Sequence, residues 1–165
     1  MVLETQFPIR REARDNVYSL VKDYFNRHFP LIEYKVLETA IGETDDIHGE
    51  IAEPFKRWKD PVFVRAYPIP TEVQQPLTQF LVEDKRVCDL AITVPHLTES
   101  GLGEQDPDTF EVVLKCGAGD LFTYHGRQYK VLTFLPSSRW ANTDIIIYYM
   151  VHSELYRLPS DRYSI

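Results

Sequence analysis

Between residues 11 and 29, Ala13, Val17, Leu20, Val21, Tyr24 and His28 recur at intervals of three and four. Arg14, Asp15, Lys22, Asp23 and Arg27 fall between them. That spacing predicts one amphipathic helix over 11–29, closed by Pro30, which has no N–H for the ladder. The period then drops to two. Ile32, Tyr34 and Val36 alternate with Glu33 and Lys35, predicting a strand over 31–37. Residues 42–60 show no sustained period and read as a long ordered loop, a class that is commonly functional. Strand patterns return at 61–69, at 87–94 (apolar enough to be buried on both sides), and at 110–114. A hairpin is predicted from 121–124 and 128–134. The last run, "DIIIYYMV" at 144–151, has a composition prone to aggregate at an open edge. It reads as a central strand, with a subunit contact as the alternative.

A second long loop is expected at 99–109 and an apolar-studded tail at 153–165. One helix followed by short strands, without alternating helices, predicts a mainly β single domain. The expected form is a β-barrel or sandwich with an N-terminal helix and long loops.

Composition narrows the function. A 165-residue chain fits one domain, and a net charge of −7 with a pI near 5.2 disfavours gripping phosphate backbones. Cys88 and Cys116 lack metal spacing and read as small core residues. No stretch resembles a signal peptide, and the apolar run at 145–151 is far short of a membrane span. The expectation is a soluble protein made in a cytoplasm, with no membrane partner and no cofactor.

The stretch "CGAGDLFTYHGRQYKVLTF" tests for a phosphate loop. Such a loop needs a helix after its glycines, whereas here a strand pattern follows Gly119-Asp120 and no Lys-Ser or Lys-Thr pair is present. Gly117 and Gly119 are expected to supply positive φ at a turn. Gly126 is expected to take the left-handed position of the reversal, and Tyr124 and Tyr129 to pair or lie diagonally across it.

Candidate chemistry is sparse. His48, Glu50 and Glu53 invite a metal or acid–base reading, but they lack the i, i+4 spacing of a zinc protease and read better as a solvated acidic loop. His96, His125 and His152 have no partner fixed by sequence, and no nucleophile elbow is present. Glu104, Asp106 and Asp108 form an acidic loop, solvated or facing a channel or neighbouring subunit. Lys56, Arg57 and Lys59 around Trp58 suit a nucleic-acid clamp or docking onto an acidic partner. Trp58 and Trp140 read as interface anchors or core caps.

Three stretches carry a family resemblance. "GDLFTYHGRQYKVL" is similar to a segment that recurs in neck proteins of tailed bacteriophages, the small β-rich proteins that close the head and join it to the tail. "DDIHGEIAEPFKRWKDPVFVRAY" and "LTQFLVEDKRVCDLAI" resemble further segments of such proteins, in the same order, over about residues 45–134. The resemblance implies a non-enzymatic head-closure (stopper-type) protein: a homo-oligomeric ring in the virion neck, made in the bacterial host cytoplasm. Its implied partners are a portal or adaptor protein above and a tail or tail-terminator protein below. Double-stranded DNA would pass through the lumen without sequence-specific binding. Asp45, Asp46, His48, Glu50, Lys56, Arg57, Trp58, Glu104, Asp106, Asp108 and Trp140 are the candidate contact or gating residues. Gly119, Asp120, Tyr124, Gly126 and Tyr129 are the structural residues of the hairpin. A head–tail adaptor, a tail-terminator ring, a small hydrolase using the His48/Glu50 loop, and a single-stranded nucleic-acid binder remain alternatives.

Overall fold

The computed structural model describes residues 2–41, 55–76, 82–139 and 145–156. In chain order the elements are α1 (Val2–His28), β1 (Leu31–Lys35), β2 (Leu37–Ile41), β3 (Phe55–Trp58), β4 (Val62–Arg65), β5 (Tyr67–Pro76) and β6 (Val82–Thr93). They continue with α2 (Val94–Glu99), β7 (Gly103–Gln105), β8 (Val112–Leu114), β9 (Leu121–Tyr124), β10 (Arg127–Arg139) and β11 (Ile146–Leu155). The chain is mainly β with an N-terminal helix. A seven-stranded sheet runs β4-β1-β9-β10-β11-β6-β5, and β2-β3 and β7-β8 form separate two-stranded ribbons. Every pairing is antiparallel.

The sheet is not the closed barrel that the strand count invites, because among the described residues β4 and β5 do not pair. They are nevertheless consecutive, separated by Ala66 alone, so one segment supplies both edges of the sheet. Ala66 is fully buried and donates its N–H to Pro30 O at 3.2 Å. The sheet therefore curls around a single core built from Ile32, Tyr34, Leu90, Ile92, Phe122, Val131 and Val151. Irregularities in the β10–β11 register at Val131/Thr133 and Pro136/Ser138 supply bends of the kind that curling needs. Pro68, Pro70 and Pro76 lie in edge strand β5, where missing N–H groups discourage further pairing.

Four differences from the sequence reading have plain causes. The predicted helix begins earlier, at Val2, and its buried stripe is rotated. Val17 and Phe25 are buried and Tyr18 is partly buried, whereas Leu20 and Tyr24 are 72% and 56% exposed and His28 is exposed. Two apolar rows wind round this helix, and the body covers only one of them. The strand predicted at 31–37 breaks at Val36, where β1 leaves the main sheet and β2 begins a ribbon. The loop predicted at 42–60 contains strand β3, and the loop at 99–109 contains the end of α2 and strand β7. Ser153, Glu154 and Leu155, expected in the tail, complete β11 because they pair across to Val131, Lys130 and Tyr129.

The run 145–151 is central as expected, since β11 lies between β10 and β6. Helix α2 has no counterpart in the sequence pattern, being too short to show a period. Thr93 caps it by accepting from His96 N at 3.3 Å, with Pro95 in the first turn. Val94, His96 and Leu97 turn into the core.

Candidate functional site

The hairpin at the centre of the family-like stretch forms as predicted. Tyr124 pairs with Arg127 across a two-residue loop in which His125 and Gly126 have φ of 49° and 73°. Both values suit the primed turn that matches strand twist. Tyr129 lies opposite Phe122, ring stacked on ring at 5.3 Å, and diagonal to Tyr124. Gly119 takes φ 94° as expected, while Gly117 is not in the positive region and serves instead as a backbone donor.

Asp120 occupies a role that the sequence did not expose. Its carboxylate is 2% exposed and accepts three hydrogen bonds, from Tyr34 Oη at 2.6 Å, Leu37 N at 2.7 Å and Gly117 N at 2.7 Å. Its backbone is locked to β10: Gly119 N donates to Val131 O at 2.9 Å, and Val131 N donates to Asp120 O at 2.8 Å. Trp58 Nε1 donates to Gly119 O at 3.1 Å, and the Trp58 ring meets Tyr156 edge-on. Strands β1, β2, β3, β9 and β10 thus converge on two adjacent residues.

The electrostatics of this corner suit fastening rather than turnover. Burial raises the Asp120 carboxyl above its usual range and outweighs the opposing pull of its three donors and Lys59. Burial, then the Asp120 charge, pushes the neighbouring Cys116 thiol up to about 12, which favours its protonated form. Tyr34 is likewise raised far above the ordinary phenol range, chiefly by burial. Cys88, fully buried, is pushed up to about 11. Cys88 is a core residue as expected, whereas Cys116 is half-buried and packs against the core.

The histidines are dispersed. His96 is buried, with Thr93 Oγ1 2.5 Å from Nδ1 and Asn26 Oδ1 2.9 Å from Nε2, and it ties α2 to α1. His152 Nδ1 lies 3.1 Å from Asp89 Oδ1, and the described hydrogen bonds give it no serine, threonine or cysteine partner. His125 is in the hairpin turn. Among the described residues no group of three or more His, Cys, Asp or Glu side chains is placed to hold a metal ion. No helix among them is long and apolar enough to cross a membrane.

The acidic candidates sit around the β7–β8 ribbon. Glu104 pairs with Lys115 at 2.6 Å and Asp108 with Arg11 at 2.9 Å. Asp106 accepts from the backbone N–H groups of Asp108 and Thr109, which lowers its pKa and shapes the turn. Phe110 closes that turn at φ 63°, under the Arg14 guanidinium 4.7 Å from its ring centre. Part of this acidic segment is therefore committed to tying the ribbon to α1. Arg57 is on β3, exposed, 3.5 Å from Glu38, and Lys56 is on the same strand. Asp45, Asp46, His48, Glu50 and Trp140 lie outside the described residues. The structure brings Trp58, Gly119 and Asp120 together; Glu104, Asp106 and Asp108 form a separate group.

No family model matches the sequence, and no curated protein matches it. Among solved structures, a chain of the virion of native gene transfer agent (GTA) particle superposes with a TM-score of 0.39 and 9% identity. The match covers 76% of this chain and 91% of that one.

Proposed function

We propose that this chain is a non-enzymatic structural protein of a tailed-phage virion. In that role it forms a homo-oligomeric ring in the neck that closes the DNA-filled head and joins it to the tail. The observation that supports this reading is the ordered set of three family-like stretches, centred on "GDLFTYHGRQYKVL". Within that stretch Gly119 and Asp120 fasten the corner, Gly126 reverses the chain, and Tyr129 packs in the core. A well-fastened corner suits a wall component.

In this role the curled sheet forms the wall, with a portal or adaptor protein above and a tail or tail-terminator protein below. A net charge of −7 offers a duplex little to grip, so DNA passes without sequence-specific contacts. A head–tail adaptor or a tail-terminator ring is the alternative role that the same resemblance allows.

The test is electron microscopy of lysates from particles lacking this protein. DNA-filled heads that leak, beside complete free tails, support head closure or joining. Normal infectious particles would remove the neck reading altogether.

A further inference from the structure

The β2–β3 ribbon is joined to the body differently from every strand of the main sheet. Among the described residues it pairs with no third strand. Both its strands leave the sheet at one place: Val36 alone separates β1 from β2, residues 59–61 separate β3 from β4, and Lys59 N donates to Val36 O at 2.8 Å. A two-stranded hairpin has little stability by itself in water. Among the described residues, what holds it to the body is its base.

The base is held at one corner. Leu37 N, the first amide of β2, donates to Asp120, and the Trp58 indole, at the end of β3, donates to Gly119 O. The Leu37 side chain fills the open face of Gly119, where an added Cβ would lie 2.9 Å from Leu37 Cδ2. Gly119 and Asp120 are themselves bound to β10 through Val131 in both directions. One half of the contact is thus fixed in the sheet, and the other half belongs to the ribbon.

We propose that the β2–β3 ribbon is a latched arm, hinged at Val36 and Lys59, which releases as a unit when Leu37 and Trp58 leave the Gly119–Asp120 corner while the seven-stranded sheet stays intact. Such a local opening, far below the free energy of global unfolding, is how one element of a rigid protein acquires two positions. The inference is independent of the virion reading: it concerns the chain alone and holds wherever the protein acts.

Hydrogen exchange read by mass spectrometry on the full chain tests it. W58F keeps an aromatic ring and removes the indole donor; L37A keeps the backbone donor to Asp120 and removes the side chain that lies against Gly119. The expected result is an increase of about tenfold in exchange at 37–41 and 55–58 in both variants, with peptides over 87–93 and 146–153 unchanged relative to wild type. V151A, a core truncation on β11 that removes none of the latch's hydrogen bonds, supplies the control: it should shift sheet exchange without selectively opening the ribbon. Equal acceleration of ribbon and sheet in W58F and L37A, or an unchanged ribbon, overturns the proposal.

Discussion

Tyr34 and Asp120, 86 residues apart in the chain, meet at 2.6 Å between phenol and carboxylate in a site closed to solvent. The contact joins β1 to the residue that precedes β9, and Tyr34 lies opposite Phe122 in the ladder between those strands. The bond thus closes the end of a strand pair that the backbone has already aligned. Tyr34→Phe leaves the carboxylate with two backbone donors and is expected to destabilise the protein by about 1.5–3 kcal/mol, the usual worth of a hydrogen bond to a charged acceptor. Urea unfolding measures this directly. A change below about 0.5 kcal/mol would mean that the bond is dispensable.

The glycines of the same stretch should respond in a graded way. Gly119→Ala meets both a φ of 94° and the Leu37 methyl at 2.9 Å, while Gly126→Ala meets only a φ of 73° in open space. Gly117→Ala meets neither. Losses of about 2–4, about 1 and under about 0.5 kcal/mol are expected in that order. Thermal denaturation of the three variants would expose any other ranking.

The rotated face of α1 is open to an equally direct check. Val17 and Phe25 are buried, while Leu20 is largely exposed. Phe25→Ala is expected to cost about 3–5 kcal/mol and Leu20→Ala under about 1 kcal/mol. If Leu20→Ala proved the more damaging, the helix would have to be turned by roughly one residue, about 100°.

His96 should make stability depend on pH. Burial lowers its pKa, with Lys22 and Arg65 acting in the same direction and Glu99 opposing them. The unfolded chain therefore takes up the proton more readily than the folded one. The stabilisation is fully present above the unfolded value near 6.5 and is lost as pH falls through the lower folded value. Melting temperatures from pH 8 to pH 5 should fall in wild type, and the fall should be shallower in His96→Gln. Parallel curves for the two proteins would remove His96 as the cause.

Much of the architecture was legible because local pattern and global fold agree. The two-residue period over 121–134 and the His125-Gly126 reversal needed only neighbours in sequence, and the hairpin forms as they dictate. The apolar run at 145–151 had to be buried or paired, and it lies centrally in the sheet. The acidic balance and the missing phosphate-loop context likewise followed from residue chemistry alone.

What only the tertiary structure decided involves residues far apart in the chain. Whether Leu20 or Phe25 faces inward depends on which side of α1 the body occupies, and the helix period allows either. That Ala66 joins the two edges of one sheet depends on which strands pair, a choice that alternation does not encode. Asp120 was visible as half of a Gly-Asp turn, but its three donors come from Tyr34, Leu37 and Gly117, two of them more than eighty residues away. A side chain's own chemistry states that a buried carboxylate needs donors. Only the folded chain chooses which donors arrive, because burial and hydrogen-bond geometry are set by the packing of distant strands rather than by the residues on either side.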